Sequence, residues 1–195
     1  MARGRREELL EKAYAYVRDN GISDMSLRPI AAAVGSSPRV LLYLFGSKDG
    51  LIRALLARAR ADELAALDQR LPRGADAAGL AVWDWLARDE NASLLRFWVE
   101  AYARSLGTTA GPWAGFAAET VADWLDVLAK AQPAEERDSP TGLAHRTAVL
   151  AVLRGALLDV LATGDVDRTT AAVRHALAGG DGRPPGRDDV GHARA

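Results

Sequence analysis

Residues 26–45 read Ser26-Leu27-Arg28-Pro29-Ile30-Ala31-Ala32-Ala33-Val34-Gly35-Ser36-Ser37-Pro38-Arg39-Val40-Leu41-Leu42-Tyr43-Leu44-Phe45. Two short helices are expected here. Ser26 is a residue type that caps free amides, and Pro29 falls in the first turn, where its missing N–H costs nothing. Leu27, Ile30, Ala31 and Val34 recur at helical spacing. Gly35 turns the chain, and Ser36 or Ser37 caps a second helix with Pro38 at its first position. Two such helices joined by a glycine turn form a helix-turn-helix unit, or else an ordinary hairpin inside an all-α core. Leu41, Leu44 and Phe45 are expected to anchor the second helix on Val17, Ile30 and Val34. Pro38, Arg39, Val40, Leu42 and Tyr43 then lie on its outer face. A face that met only water would be polar. This one offers a cation, a phenol and apolar groups able to touch thymine methyls.

Outward from this segment the chain reads as helix throughout. No stretch alternates apolar and polar residues for long, and Ala, Leu, Arg and Glu favour helix. A first helix is expected from about Arg5 to Asn20, with Leu9, Ala13, Tyr16 and Val17 on one face and Gly21 as its stop. Ser47 caps a long helix reaching about Arg70, with a stripe through Leu51, Leu55, Ala59 and Leu67. Leu71-Pro72-Arg73-Gly74 breaks the chain. Further helices are expected near 75–88, 91–106, 112–131, 143–163 and 167–178. The stretch 132–142 reads as a loop, and 179–195 as a disordered tail. The fold class is all-α with about nine helices. The expected organisation is a helix-turn-helix domain over 1–50 and a larger helical domain over 51–178, followed by the tail over 179–195.

Composition removes other classes. The 195 residues are 49% apolar with a net charge of -1, which is not the balance of a disordered chain. With no cysteine, disulfides, a thiol nucleophile, an iron–sulfur cluster and a Cys-ligated zinc are all excluded. The longest apolar runs, Val40–Phe45 and Ala148–Leu153, fall far short of the roughly 20 residues a membrane span needs. The opening residues lead into a charged helix rather than an apolar secretory core, so a cytoplasmic protein is expected. Charge is uneven: residues 1–60 carry a net +5 and residues 61–195 a net -6. A basic segment on an acidic body suits a nucleic-acid module, or it is chance clustering.

The stretch from Leu9 to Leu51 resembles the TetR/AcrR regulators. Ala13, Tyr16-Val17 and Gly21 stand where that family places its first-helix Ala, its aromatic/apolar pair and its closing Gly. Ser26-Leu27-Arg28, Ile30-Ala31 and Val34-Gly35 resemble its second helix and turn. Ser37, Leu41, Phe45, Ser47-Lys48-Asp49 and Leu51 resemble its third helix and the start of its fourth. The resemblance implies binding to a double-stranded operator as a homodimer that responds to a small-molecule effector, more often as a repressor than an activator. It implies phosphate contact by Lys48, at a helix end that attracts anions in any case. Arg28 matches an Arg that reaches a base edge in several relatives. Arg39, which opens the recognition helix, is the best candidate for reading a base, and arginine pairs best with guanine. Ser26 and Ser37 can donate to phosphate besides capping. Leu42 stands where the family commonly has a phosphate-binding Tyr, and Tyr43 beside it either takes that role or packs into the core. Val40 and Arg39 also depart from the usual small residues, so a different operator is expected. Arg3, Arg5 and Arg6 form either a DNA-binding arm or a solvated tail.

Beyond residue 51 the resemblance is one of helix number and length. All five tryptophans fall between Trp83 and Trp124. Such a cluster lines an apolar cavity or is plain core. The expected effector contacts are Trp83, Trp98, Glu100, Tyr102, Trp113, Phe116 and Arg154. Glu100 and Arg154 stand in apolar surroundings, where a charge needs a partner. The last two helices carry wide apolar faces, and the family uses them for dimerisation. The expected interface residues are Leu150, Leu153, Leu157, Val160, Leu161, Val173 and Leu177. A dimer also has a rationale of its own, because one short helix reads too few bases. No enzyme, cofactor or metal is expected. The three histidines, His145, His175 and His192, have no metal-ligand spacing and no nucleophile beside them.

Overall fold

Leu9, Ala13, Tyr14 and Val17 form one buried stripe on α1 (Ala2–Asn20). Against it pack α2 (Leu27–Ala33), α3 (Pro38–Phe45) and the first half of α4 (Lys48–Leu67). Ile30, Val34 and Leu41 are almost wholly buried there, as their spacing predicts. The computed structural model describes residues 2–21, 26–67 and 71–178. The expected tail over 179–195 and His192 lie outside the described residues.

The remaining elements are α5 (Ala75–Leu86), a 3-10 turn (Asp89–Asn91), α6 (Ala92–Leu106), α7 (Phe116–Ala131), α8 (Ala134–Arg137), α9 (Pro140–Thr163) and α10 (Val166–Ala178). Among the described residues there are ten α-helices and no strand, so the all-α reading holds. α5, α9 and α10 pack on one another, α7 lies across α9 and α5, and α6 bridges α7 to α1.

Three boundaries differ from expectation. α1 begins at Ala2, so Arg5 and Arg6 belong to a helix rather than a free arm. Arg5 pairs with Glu8 at 2.8 Å, and the Arg6 guanidinium lies 4.9 Å from the centre of the Phe45 ring. α7 starts at Phe116 instead of 112. The 132–142 loop contains the single-turn α8, and α9 starts inside it, at Pro140. Its cap is Ser139, whose Oγ accepts the Gly142 N–H at 2.9 Å. Serine followed by proline therefore starts α9 just as Ser37-Pro38 starts α3.

Buried polar groups between these helices are mostly paired. Gln132, 2% exposed, donates through Nε2 to the Gly142 carbonyl at 3.0 Å and accepts from Arg146 at 3.0 Å. Thr120 and Thr169 return their hydroxyls to carbonyls one turn back, and the Ser105 Oγ accepts the Ala117 N–H.

A candidate DNA interface and a buried polar cluster

Gly35 makes the turn between α2 and α3 with φ +64°, a conformation that glycine adopts at no steric cost. The Ser37 Oγ then accepts the Val40 N–H at 3.3 Å, so Ser37 is the cap of α3. Ser26 is placed before α2, but its side chain makes no capping hydrogen bond and is exposed. At the far end of α3, Ser47 caps α4 by accepting the Gly50 N–H at 2.9 Å. A Cβ at Gly50 would overlap the Phe45 carbonyl. That close approach fixes the angle between α3 and α4. Gly50→Ala is expected to destabilise the protein by about 2 kcal/mol or more, because backbone rather than a flexible side chain must move. Chemical denaturation of the two proteins measures it.

Leu41 and Phe45 hold α3 inward, at 0% and 8% exposure. Leu44 is half-buried. The opposite face stands in solvent. Arg28, Arg39 and Lys48 are exposed, Pro38 is half-exposed, and Val40 and Leu42 are each 39% exposed. Tyr43 is 82% exposed, which removes the core-packing alternative for its ring. Three exposed cations, a phenol and two aliphatic groups therefore belong to the one small module of α2, α3 and the start of α4.

α4 joins this module to the body. Arg58 on α4 pairs with Glu11 at 2.7 Å, and the Tyr14 hydroxyl donates to Asp62 at 3.0 Å, tying α4 to α1. Burial is the main cause pushing the Tyr14 hydroxyl well above the ordinary phenol range. Lower on α4, Arg60 pairs with Asp123 at 2.6 Å and with Glu119, both on α7. The Tyr14 ring meets Phe97 of α6 edge-on at 6.3 Å.

The expected effector residues separate into groups. Trp98 and Tyr102 stack at 5.0 Å, Trp124 lies 6.4 Å from Trp98, and the Arg154 guanidinium sits 5.3 Å from the Tyr102 ring centre. Trp83 is 1% exposed and bonds Thr170 of α10 at 2.9 Å, so it belongs to the packing of α5 on α10. Glu100 pairs with Arg104 at 3.1 Å, and Arg104 also lies 5.4 Å from the Trp113 ring centre. Phe116 lines a surface cleft of about 350 Å³ with Arg53, Arg60 and Pro112.

Two residues absent from the expected set complete the cluster. Trp124 donates its indole N–H to Glu63 of α4 at 2.8 Å. Glu63 is 3% exposed, and burial raises its carboxyl to about 8. It continues the stripe Leu51, Leu55, Ala59 at the next four-residue step, which was the signal in the sequence. Beside it, the Trp98 Nε1 and the Nε and Nη2 of Arg154 are buried with no hydrogen-bond partner among the described residues.

Five of the seven expected dimer residues are buried in the chain's own core. Leu150, Leu153, Leu157, Val173 and Leu177 are at most 5% exposed within the single chain. α9 packs on α5, α7 and α10, and α10 packs on α5 and α9, so these side chains serve the chain's own core. Val160 and Leu161 are half-buried, whereas Leu158 is 53% and Leu143 46% exposed.

The profile of the bacterial regulatory proteins of the tetR family matches residues 9–55, the segment spanning α1 to the first half of α4. The HTH-type transcriptional regulator BetI of Rhizobium meliloti (strain 1021) is 31% identical over 136 residues, 68% of this chain and 54% of BetI. The chain belongs to the TetR family. It spans about half the length of the curated relative it matches. The TetR fold extends through the body as well. A TetR transcription regulator from Haloarcula marismortui ATCC 43049 superposes with a TM-score of 0.71 at 18% identity, over 91% of this chain and 97% of that one. The multidrug binding protein EbrR complexed with imidazole superposes with a TM-score of 0.60 at 25% identity, over 89% of each chain. Among the described residues no helix is long and apolar enough to cross a membrane.

Proposed function

We propose that this TetR-family chain is a cytoplasmic, homodimeric DNA-binding regulator, a repressor that leaves an inverted-repeat operator when a small molecule binds its body. The single observation that carries the reading is the outer face of α3. Its aliphatic and aromatic side chains are solvent-exposed beside Arg28, Arg39 and Lys48, within the segment matching the family. Residues 1–50 would form the reading domain and 51–178 the effector and dimer domain. In the reading domain Arg39 reads a base edge, Arg28 reads a base or phosphate, and Val40 and Leu42 touch thymine methyls. Lys48, Tyr43, Ser26, Ser37 and the half-exposed Pro38 meet the backbone and position the helix on it. No catalytic role is assigned to any residue.

Release follows from a population shift. An effector that prefers the form whose two recognition helices are wrongly spaced lowers operator affinity by the ratio of its affinities for the two forms. α4 is the carrier, with Lys48 at one end and Glu63 about 22 Å along the helix, in the buried cluster. The neighbour EbrR, a multidrug binding protein by name, supports a small-molecule effector.

The dimer is assigned to α9 and α10, centred on the exposed Leu158 of α9, with Leu143 and the half-buried Leu161 on the same side of that helix. Leu158→Glu is expected to leave helical content unchanged and shift the protein to monomer, since a like charge would face itself across a two-fold axis. Sedimentation at micromolar concentration reads this directly. Selection of random duplex DNA by the purified protein tests the whole reading. Enrichment of one inverted repeat, with half-sites about one helical turn apart, is the expected result. Recovery of no common sequence at low salt would leave an all-α small-molecule-binding protein without operator binding.

A further inference from the structure

We propose that the effector is an aromatic carboxylic acid, bound as its anion, with its carboxylate on Arg154 and its ring against Trp98 and Tyr102. This deepens the regulator reading and rests on it. Nε and Nη2 are the two nitrogens on one edge of a guanidinium, the edge that holds a carboxylate through two parallel hydrogen bonds. On Arg154 both are buried and neither has a partner among the described residues. Arginine and indole nitrogens donate and do not accept, so whatever satisfies them must bring acceptors, and a carboxylate brings two in the matching geometry. Trp98, 6% exposed, contributes a third unmet donor from its Nε1. Trp98 and Tyr102 stack on each other at 5.0 Å, and Arg154 lies over Tyr102, so the guanidinium and both rings are in one cluster. Arg154 is half-buried, and the two nitrogens that solvent does not reach gain acceptors when an anionic ligand binds.

The buried carboxyl in the same cluster does not compete. Among the described residues Glu63 makes no ion pair with Arg154, and its hydrogen bond runs instead from Trp124. The groups acting on it are Trp124, Asp123, Arg154 and Arg60. Asp123 and Arg60 are already paired with each other. With its carboxyl raised to about 8, Glu63 is uncharged at neutral pH and does not repel an anion. Glu63 joins the cluster to α4 through Trp124, which lies 6.4 Å from Trp98, and α4 leads to α3.

Titration of the full-length protein with benzoate, phenylacetate, benzamide and benzylamine, followed by tryptophan fluorescence, tests this. The carboxylates are expected to saturate, with benzamide much weaker and benzylamine inert. Arg154→Lys, which keeps charge but loses the fork, is expected to weaken carboxylate binding at least tenfold. Trp98→Phe, which keeps a ring and removes one N–H, is expected to weaken it several-fold. Wild-type affinity is expected to fall above pH 8, and Glu63→Gln to abolish that fall. Preferential binding of benzylamine, carboxylate binding unchanged in both the Arg154 and Trp98 variants, or no binding of either carboxylate would overturn the proposal. Operator binding by the same preparation separates the two levels: retained DNA affinity without carboxylate binding refutes only the effector class, whereas loss of DNA binding altogether refutes the regulator reading.

Discussion

Arg39→Ala is expected to lower operator affinity by about 100-fold while leaving the fold intact. Arg39 is exposed at the start of α3, where removing its side chain opens no cavity. A bidentate arginine–guanine contact contributes roughly 1–3 kcal/mol of discrimination. A two-fold dimer makes the contact twice, so the losses add across well-separated half-sites. Circular dichroism and thermal midpoint should match the wild type. Fluorescence anisotropy on the selected duplex should show the loss, together with relaxed preference at one base pair in each half-site. Unchanged affinity would remove Arg39 from the reading face and leave α3 without its only base-pairing cation.

Glu63→Gln is expected to stabilise the protein at neutral and alkaline pH and to do little near pH 4.5. Burial is the main cause of the raised carboxyl, and the Trp124 hydrogen bond opposes it only in part. In the unfolded chain Glu63 ionises near its ordinary value of 4.5, but in the folded chain it holds its proton to about 8. Folding therefore takes up a proton between those values. Stability contributed at this site is full below about 4.5, falls as pH rises towards 8, and is flat above. Glutamine keeps an acceptor for the Trp124 N–H and cannot ionise. The gain at about pH 7.5 should be roughly 2–4 kcal/mol, because each pH unit above the unfolded value costs the wild type about 1.4 kcal/mol. Urea unfolding at about pH 5 and about pH 8, at equal protein concentration because the species is a proposed dimer, measures the difference. Destabilisation at both pH values would mean that Glu63 is ionised and that Arg154 is its true partner, which would also end the effector proposal.

Local signals made the reading unit legible. Ser37-Pro38, Gly35 and the inward spacing of Ile30, Val34, Leu41 and Phe45 are decided within a short stretch of chain, and the structure places each as that spacing predicts. The same Ser-Pro signature at Ser139-Pro140 is masked by its surroundings, where proline, charge and length together suggest a loop. The body is less legible because its contacts are non-local. Leu150, Leu153 and Leu157 are apolar whether α9 faces its own core or a partner, and only the packing of α9 on α5, α7 and α10 decides between them. Glu63 is hidden differently. Beside Asp62 it reads as a solvated acidic pair, yet it occupies the buried register of Leu51, Leu55 and Ala59. Trp83 shows the opposite error: large aromatics close in sequence need not share one site, and this one is spent on packing α5 against α10.

The central claim, that the exposed face of α3 reads DNA, is tested most directly by the affinity of the full-length protein for its selected duplex as salt is raised, beside a scrambled duplex of the same length. Phosphate contacts by Lys48 and its neighbours release counterions, so log affinity should fall linearly with log salt. A gap of at least roughly 10³ should separate the two duplexes at each salt concentration. Equal affinity for both, or affinity indifferent to salt, would contradict the account.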